Sequence, residues 1–281
     1  MGCLFAARLS NAGAKVWLID HDAARAARLQ KSGITVEQEG GVLIARPTVV
    51  LQAPVNLGLI IVLTKAHSTR DLRFPADTPV LTLQNGLGNV ETLASQLGSA
   101  RVIAGTTSEA STLAGEGHVR HMASGLSKLG AWTSCKTDEA AAALKAAGFQ
   151  VEVTEAPGQM IWEKVAINAG INPLTAILNV TNGELLKLPE IRPLMRDLVV
   201  EAAKVASTEG YRFEQSLVEV AEIVCRDTAS NVSSMLQDIR ASRKTEIEAI
   251  SGEILRRGQL ASLPTPRTRV AYQLVRGLES R

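Results

Sequence analysis

Three polar side chains recur along an otherwise apolar segment, WEKVAINAGINPLTAI, which covers residues 162–177. Lys164, Asn168 and Asn172 are spaced at i, i+4 and i+8, which places them on one side of a helix. A lysine that is partly removed from water has a lowered pKa and can donate a proton near neutral pH. Neutral amides both donate and accept hydrogen bonds, so they suit a substrate with hydroxyl, carbonyl and carboxylate groups. This stripe indicates acid catalysis on a small polar substrate.

Pro173 directly follows the last amide of the stripe. Proline lacks a backbone donor and disfavours helical backbone at the residue before it, so we expect the helix to be distorted or to end at Asn172. The alternative interpretation is structural: Lys164 extends its ammonium to solvent, and the amides cap a broken helix. From the stripe alone, the two interpretations are equally supported.

The first half of the chain alternates strand and helix patterns. The apolar runs VWLID, LGLIIVLTK and TPVLTLQNG predict strands, and HDAARAARLQKSG predicts a helix that ends at a glycine. Continuous runs of Ile, Val and Leu are typical of parallel strands that are covered on both faces. This alternation predicts an α/β fold of the doubly wound type with right-handed crossovers.

The second half of the chain carries only helical spacing. RPLMRDLVVEAAKVASTEG and TPRTRVAYQLVRGLES are two of four such segments after about residue 155. Pro157-Gly158 marks the expected hinge between the halves. We therefore predict one domain over residues 1–155 and an all-helical domain over residues 156–281.

A doubly wound domain often binds a dinucleotide through a strand, a G-x-G-x-x-G loop and a helix. Here Gly2 leads straight into the first predicted helix. We expect Gly2 to be the third glycine of such a loop, with the first strand and the first two glycines upstream of residue 1. The alternative is a protein that has lost this strand and binds nucleotide more weakly. Without this strand the neighbouring strands would have unpaired buried backbone groups, each costing about 1–3 kcal/mol, which favours the expectation of a strand upstream of residue 1.

Polar residues follow three of the predicted strands. Asp20 ends VWLID, Lys65 ends LGLIIVLTK, and Asn85 lies in LQNGLGN. In open α/β sheets, ligands bind beyond the carboxyl ends of the strands, and an acid about 20 residues after the glycine loop can bind the adenosine ribose. These positions are therefore expected to line a cofactor site.

Composition excludes several other classes of function. The chain has 281 residues, a net charge of +2 and 3% aromatic residues, which argue against nucleic-acid or membrane-surface binding. The three cysteines are widely separated, and no signal peptide or membrane span is visible, which indicates a reduced, cytoplasmic protein. His118 and His121 have no further ligand at a zinc spacing, so we interpret them as solvent-facing imidazoles and expect no metal.

The segment WEKVAINAGINPLTAILNVTNGELL resembles the signature of ketopantoate reductases, the 2-dehydropantoate 2-reductases. LQNGLGN and SSMLQDIRASRKTEIEAISGEILRRG also resemble this family, and the resemblance covers nearly the whole chain in the expected order. It implies an N-terminal Rossmann domain, a helical C-terminal domain and an active site in the cleft between them. It further implies NADPH-dependent reduction of 2-dehydropantoate to (R)-pantoate, in pantothenate and coenzyme A biosynthesis, by a homodimer.

The resemblance also implies residue roles. Lys164 corresponds to the general acid, and Glu246 to a glutamate that contacts the cofactor and orients the reacting groups. The residues expected to bind the substrate are Asn85, Asn168, Asn172, Asn182 and Ser234. The residues expected to bind the cofactor are Gly2, Asp20, Lys65, Asn85, Ala110 and Glu246. Without the resemblance, Ser234 would be interpreted as a helix N-cap and Glu246 as part of a solvated charged face.

Two features depart from the family pattern. The glycine loop is absent, and Asp20 stands where members that prefer NADP carry a basic residue. A carboxylate there would repel the 2′-phosphate and favour NADH, although Arg25 and Arg28 on the next helix can reach it. The rival functions are a D-2-hydroxyacid dehydrogenase that reduces other branched 2-keto acids with NADH, and a nucleotide-binding sensor without catalysis.

Overall fold

The computed structural model describes the backbone of residues 1–281 and every side chain except that of Ser99. The chain forms two compact units. The first unit comprises Met1–Thr64, Ser68–Gln84 and Val90–Pro157, and the second comprises Lys65–His67, Asn85–Asn89 and Gly158–Arg281. The second unit is therefore not a simple C-terminal half, because two short segments from early in the chain belong to it. The assignment of cofactor and substrate binding to two domains stays a prediction.

The strands of the described chain all lie in the first unit. They are β1 (Trp17–Ile19), β2 (Ile34–Gln38), β3 (Gly41–Ala45), β4 (Thr48–Val50), β5 (Ile60–Val62), β6 (Val80–Thr82), β7 (Val102–Thr107), β8 (Ala110–Gly115), β9 (His118–Ala123), β10 (Leu126–Ala131) and β11 (Gln150–Val153). They form a five-stranded sheet of order β11-β10-β7-β6-β5, a four-stranded sheet of order β3-β2-β9-β8, and the pair β1-β4.

The parallel part of this architecture confirms the α/β prediction. β6 pairs in parallel with both β5 and β7, and β1 pairs in parallel with β4. All three residues of β6 are buried, as expected of a strand that is covered on both faces. β1 and β5 each have a single hydrogen-bonded neighbour strand in the described chain.

The four-stranded sheet is an addition that the sequence patterns did not reveal. β2 pairs antiparallel with β3, and β8 pairs antiparallel with β9. On β3, the side chains of Val42 and Ile44 are more than 60% exposed. The central pair, β2 and β9, is parallel. Antiparallel pairs at the sides of a sheet can leave one face in water, so a strand such as β3 lacks the continuous buried run that identified β5 and β6.

The first helix of the first unit lies between two cores. The helices of this unit are α1 (Gly2–Asn11), α2 (Ala23–Ser32), α3 (Asn89–Leu97) and α4 (Asp138–Ala146). Leu4 packs with residues of the four-stranded sheet, whereas Phe5 packs with the five-stranded sheet and stacks on Phe149 at 4.2 Å between ring centroids. Both faces of α1 therefore contribute to burial.

The second unit is helical, which confirms the predicted C-terminal fold. Its helices are α5 (Pro157–Leu178), α6 (Ile191–Thr208), α7 (Leu217–Asp227), α8 (Ser234–Arg240), α9 (Glu253–Leu260) and α10 (Pro266–Glu279). A 3-10 turn covers Asn182–Lys187, and a π-helical turn, Glu248–Gly252, leads into α9.

The expectation that the helix ends at Asn172 is wrong, since α5 continues through Pro173 to Leu178. Residues 169–176 of α5 are all buried, so this part of the helix gains stability from packing in a core. This burial outweighs the roughly 3 kcal/mol that an interior proline costs. The hydroxyl of Thr175 lies 2.9 Å from the carbonyl oxygen of Asn172 and braces the turn around the proline.

Candidate active site

Lys164 lies in the first half of α5, with its side chain only partly accessible to solvent. Burial of the ammonium lowers its pKa to about 8 from the ordinary value of 10.5, and the negative charge of Glu246 partly opposes this decrease. A lysine with this pKa exchanges a proton near neutral pH. The alternative of an ammonium extended into bulk solvent is inconsistent with this environment.

Glu246 is the carboxylate around which the second unit gathers several predicted residues. It precedes the π-helical turn and is 8% exposed. Asn85 Nδ2 donates to Glu246 Oε2 at 3.0 Å, and the backbone N–H of Ala66 donates to Oε1 at 3.4 Å. Lys65 Nζ lies 4.0 Å from Oε2. Glu246 is therefore part of a buried polar network, not of a solvated charged face.

The loop that carries Asn85 is fixed to the π-helical turn. In that turn, the N–H of Glu253 donates to the carbonyl of Glu248, five residues back. The carbonyl of Ala249 accepts from Leu87 N–H at 2.8 Å. Gly86 has a φ of +94° and lies so close that a Cβ there would be 2.5 Å from Ala249 Cβ. Only glycine fits at position 86, and the loop around it holds Asn85 against Glu246.

Asp238 is a site residue that the sequence analysis missed. It lies on α8, and its side chain is 4% exposed. Lys65 Nζ lies 2.5 Å from Asp238 Oδ2, and Arg243 Nε lies 3.2 Å from Oδ1. The one available signal was a carboxylate one helical turn after Ser234 on a segment with buried apolar neighbours.

The predicted amides occupy two elements of the second unit. Asn168 is partly exposed and Asn172 is 7% exposed, both on α5 with Lys164. Asn182 begins the 3-10 turn, where its Nδ2 donates to Thr228 Oγ1 at 2.9 Å. The Oδ1 atom of Asn182 is buried and accepts no hydrogen bond from the described residues.

Ser234 is the first residue of α8, and its side chain is exposed. The N-cap is the preceding residue, Ser233, whose hydroxyl accepts from Leu236 N–H at 3.1 Å and lies 2.7 Å from Thr175 Oγ1 on α5. The interpretation of Ser234 as an N-cap is therefore wrong by one residue. Ser234 begins a helix, and Glu246 lies in the loop before the next helical segment.

Gly2, Asp20 and Ala110 lie in the first unit. Gly2 begins α1, and Ala110 begins β8. Asp20 follows β1, is 4% exposed, and accepts from Arg25 Nε at 2.6 Å and from the N–H of Asp22 at 3.0 Å. The second predicted basic residue, Arg28, pairs instead with Glu116 through two hydrogen bonds of 2.8 and 2.9 Å.

The expectation of two solvent-facing imidazoles is wrong for His121, whose side chain is 6% exposed. Its Nε2 lies 2.5 Å from Glu109 Oε2, and Arg8 of α1 lies 3.3 Å from Nδ1, because β9 turns this side chain towards the helix. His118 is 39% exposed and contacts Glu37. Among the described side chains, no three His, Cys, Asp or Glu residues gather to hold a metal ion. No helix in the described chain is long and apolar enough to cross a membrane.

The structure thus brings Lys65, Asn85 and Lys164 together around the carboxylate of Glu246. Asn168 and Asn172 share the helix of Lys164, while Asn182 and Ser234 lie on other elements of the same unit. The three remaining predicted cofactor residues lie in the first unit.

Comparison with known proteins shows which family this chain resembles. The model of the family Ketopantoate reductase PanE/ApbA matches residues 1–134, and that of Ketopantoate reductase PanE/ApbA C terminal matches residues 158–279. A 2-dehydropantoate 2-reductase of Halobacterium salinarum is 33% identical over 98% of this chain and 95% of its own length. One of Pyrococcus horikoshii is 32% identical over 100% of this chain and 95% of its own.

Two solved structures are also similar over nearly the whole chain. A D-mandelate dehydrogenase in complex with NADH has a TM-score of 0.92 at 28% identity, covering 100% of this chain and 96% of that one. A ketopantoate reductase of Ralstonia eutropha has a TM-score of 0.89 at 27% identity, covering 99% and 95%. Since both family models match and together extend over most of its length, the chain belongs to the ketopantoate reductase family.

Proposed function

We propose that this protein reduces the ketone of 2-dehydropantoate to the hydroxyl of (R)-pantoate, with NADPH as the hydride donor. The observation that carries the proposal is the desolvated ammonium of Lys164 beside Glu246, in a chain of this family. A protein that only bound nucleotide would have no use for a buried proton donor, so the arrangement favours an enzyme over a sensor.

Lys164 acts as the general acid. Hydride addition to a ketone places negative charge on the oxygen, which a nearby ammonium stabilises before it transfers its proton. Burial lowers the pKa of Lys164 to about 8, so the proton is held at neutral pH yet released readily. Glu246 keeps the pKa from falling further and so maintains the protonated form.

The amides and Ser234 hold the substrate. Asn168 and Asn172 follow Lys164 on the same side of α5, where they donate to and accept from the hydroxyl and carbonyl groups. Asn182 offers a buried Oδ1 that accepts no hydrogen bond from the described residues and suits a substrate hydroxyl. The exposed hydroxyl of Ser234 donates to the substrate carboxylate.

The first unit supplies groups that fit the adenosine end of a nicotinamide dinucleotide. When bound, that cofactor supplies the hydride. Arg25 neutralises the buried carboxylate of Asp20, and its side chain is 46% exposed. The pair removes the repulsion that a bare carboxylate would exert on a 2′-phosphate, and an arginine at this position accommodates that phosphate. This supports NADPH.

The direct test is turnover by the purified protein, followed as oxidation of the reduced cofactor. Appreciable turnover of 2-dehydropantoate with NADPH is expected, and slower turnover of 2-ketoisovalerate. Turnover of 2-ketoisovalerate alone would overturn the assigned substrate. Cofactor binding without turnover of either keto acid would indicate a sensor.

The cofactor preference is tested by Arg25→Ala, with Arg28→Ala on the same helix as the matched control. Loss of Arg25 should weaken NADPH binding about 10-fold or more, the effect of losing a charge-assisted hydrogen bond, and change NADH binding little. Arg28 is engaged by Glu116, so its loss should leave both affinities nearly unchanged. Fluorescence titration of both cofactors measures the four affinities, and equal weakening of NADPH and NADH would contradict the assignment.

A D-2-hydroxyacid dehydrogenase that uses NADH is the second candidate. It is favoured by the similarity to a D-mandelate dehydrogenase in complex with NADH. Asp20, released from Arg25, would then accept hydrogen bonds from the ribose hydroxyls. Tighter binding of NADH than NADPH by the wild-type protein would support this candidate.

A further inference from the structure

Asp238 has the closest contact in the buried network of the second unit. Its carboxylate lies 2.5 Å from Lys65 Nζ, and the side chain is 4% exposed whereas that of Lys65 is 37% exposed. A buried carboxylate needs a paired cation, because an isolated one is strongly destabilised. Lys65 and Arg243, at 3.2 Å, are the cations that pair with it.

Lys65 links this carboxylate to the second one. Its Nζ lies 4.0 Å from Glu246 Oε2, and the negative charge of Glu246 acts on the ammonium of Lys164. Charges of alternating sign therefore run from Asp238 through Lys65 and Glu246 to Lys164. In such a row, the strength of each interaction depends on how its neighbours are engaged.

Other charged groups near this row are already paired among themselves. Next to Glu246, the hydroxyl and N–H of Thr245 both donate to Glu279, which lies 3.5 Å from Arg276. Arg276 also approaches Glu248, which accepts from Tyr272. Asp238 thus faces Lys65 and Arg243, and Glu246 faces Lys65 and Lys164.

We propose that Asp238 is a positioning residue for the reduction: it binds the ammonium of Lys65 at 2.5 Å and so keeps it no closer than 4.0 Å to Glu246, which leaves Glu246 available as the counter-charge of Lys164. The inference rests on the proposed function in one respect, which is that Lys164 is the proton donor. Asp238 does not touch the substrate and acts only through Lys65.

The proposal predicts opposite effects for two substitutions in the full-length protein. In Asp238→Asn, Lys65 loses its main partner and pairs with Glu246, so Lys164 loses counter-charge and its pKa falls. The basic limb of the pH profile of kcat/KM should move down by about 0.5–1 pH unit. In Lys65→Met, Glu246 keeps only Lys164 as a cation, so the same limb should move up by about as much.

Two further variants serve as controls. Asp238→Glu keeps the charge and should leave the limb close to that of the wild type. Glu222→Gln removes a carboxylate of the same unit that Arg192 binds at 2.7 Å, outside the network, and should not move the limb.

Shifts of opposite sign in Asp238→Asn and Lys65→Met support the proposal, whereas unchanged limbs or shifts of the same sign overturn it. If Asp238→Asn does not fold, Lys65→Met and Asp238→Glu decide the question alone. If the wild type reduces 2-dehydropantoate but the basic limb does not move in the variants, the inference is refuted and the proposed function is retained. If the wild type does not turn over, the function fails, and NMR titration of Lys164 in the same variants still tests the coupling.

Discussion

The ammonium of Lys164 is held where water solvates it poorly, which destabilises its charged form. Burial lowers its pKa to about 8, and Glu246 recovers only part of the loss. Structural lysines ordinarily extend along apolar surface and keep the charge in solvent. The proposed proton transfer would explain the position of this one, whereas stability does not.

Replacing Lys164 with alanine should reduce kcat by about 10²–10⁴-fold, the usual effect of losing a general acid. The fold should be retained, because the network around Glu246 keeps Lys65 and Asn85 as partners. Steady-state kinetics with saturating cofactor provide the measurement. Lys204→Ala, at an exposed position on α6, is the matched control and should behave as the wild type. A loss of tenfold or less in Lys164→Ala would refute its role as the acid.

Lys164→Met should stabilise the protein at neutral pH. The pKa of Lys164 is about 8 in the folded chain and near its ordinary 10.5 when unfolded, so the unfolded chain binds the proton more tightly. The wild-type free energy of unfolding therefore decreases as the pH falls from 10.5 to 8. The variant lacks this decrease and should be more stable by about 1–3 kcal/mol at pH 7. Denaturant unfolding at several pH values measures this difference in unfolding free energy between the variant and the wild type. The same difference at pH 7 as at pH 11 would disprove the prediction.

Helix α5 positions the predicted acid and two of the amides on one rigid element. Gly170, between Asn168 and Asn172, faces α6 so closely that a Cβ there would lie 2.6 Å from Val199 Cγ2 and 3.1 Å from the carbonyl oxygen of Met195. The absence of a side chain lets the two helices approach and fixes the rotation of α5 about its axis. The orientation of the polar stripe depends on that rotation.

Gly170→Ala should therefore destabilise the protein by about 1–3 kcal/mol, although alanine is the better helix former. Gly277→Ala on α10 is the matched control, because a Cβ at that position meets no described heavy atom within 4 Å. This substitution should be neutral or stabilising by up to about 1 kcal/mol. Thermal unfolding of both variants provides the comparison, and a Gly170→Ala protein as stable as Gly277→Ala would show that the helices can move apart freely.

Local patterns predicted some of these elements well and others poorly. The stripe of Lys164 and Asn168 was visible because helical spacing is a local property. Pro173 misled the prediction because burial of this part of the helix, a tertiary effect, outweighs its local cost. Asp238 was missed because its partner Lys65 is 173 residues away, and one sequence gives no signal for such a pair.

Two compact units, each with its own apolar cores, make up the whole molecule. The alternation of strands and helices, followed by helices alone, was sufficient to predict the fold class. The four-stranded sheet was not predicted, since strands such as β3 leave large apolar side chains in solvent. The free energy of local unfolding differs across a structure. A ligand that binds one unit should therefore slow hydrogen exchange of the backbone amides in that unit selectively.

Hydrogen exchange should therefore separate the roles of the two units. NADPH should slow exchange from Asp20 to Arg25 and at the start of α1, where the adenosine end is assigned. An unreactive analogue of the keto acid should slow exchange along α5 and around Glu246. Mass spectrometry with each ligand alone measures both effects. Protection by NADPH that is confined to α5–α10 would contradict the assignment of the first unit.

Lys65–His67 and Asn85–Asn89 belong to the helical unit although they are encoded among the strands. Exchange of domains with a relative is a common way to alter specificity. A chimera made with a single crossover after Pro157 would therefore not transfer the helical unit intact. Such a chimera would join a foreign Glu246 and Asp238 to the native Asn85 and Lys65. Recombination that respects the packing has to transplant the two short loops together with the C-terminal segment.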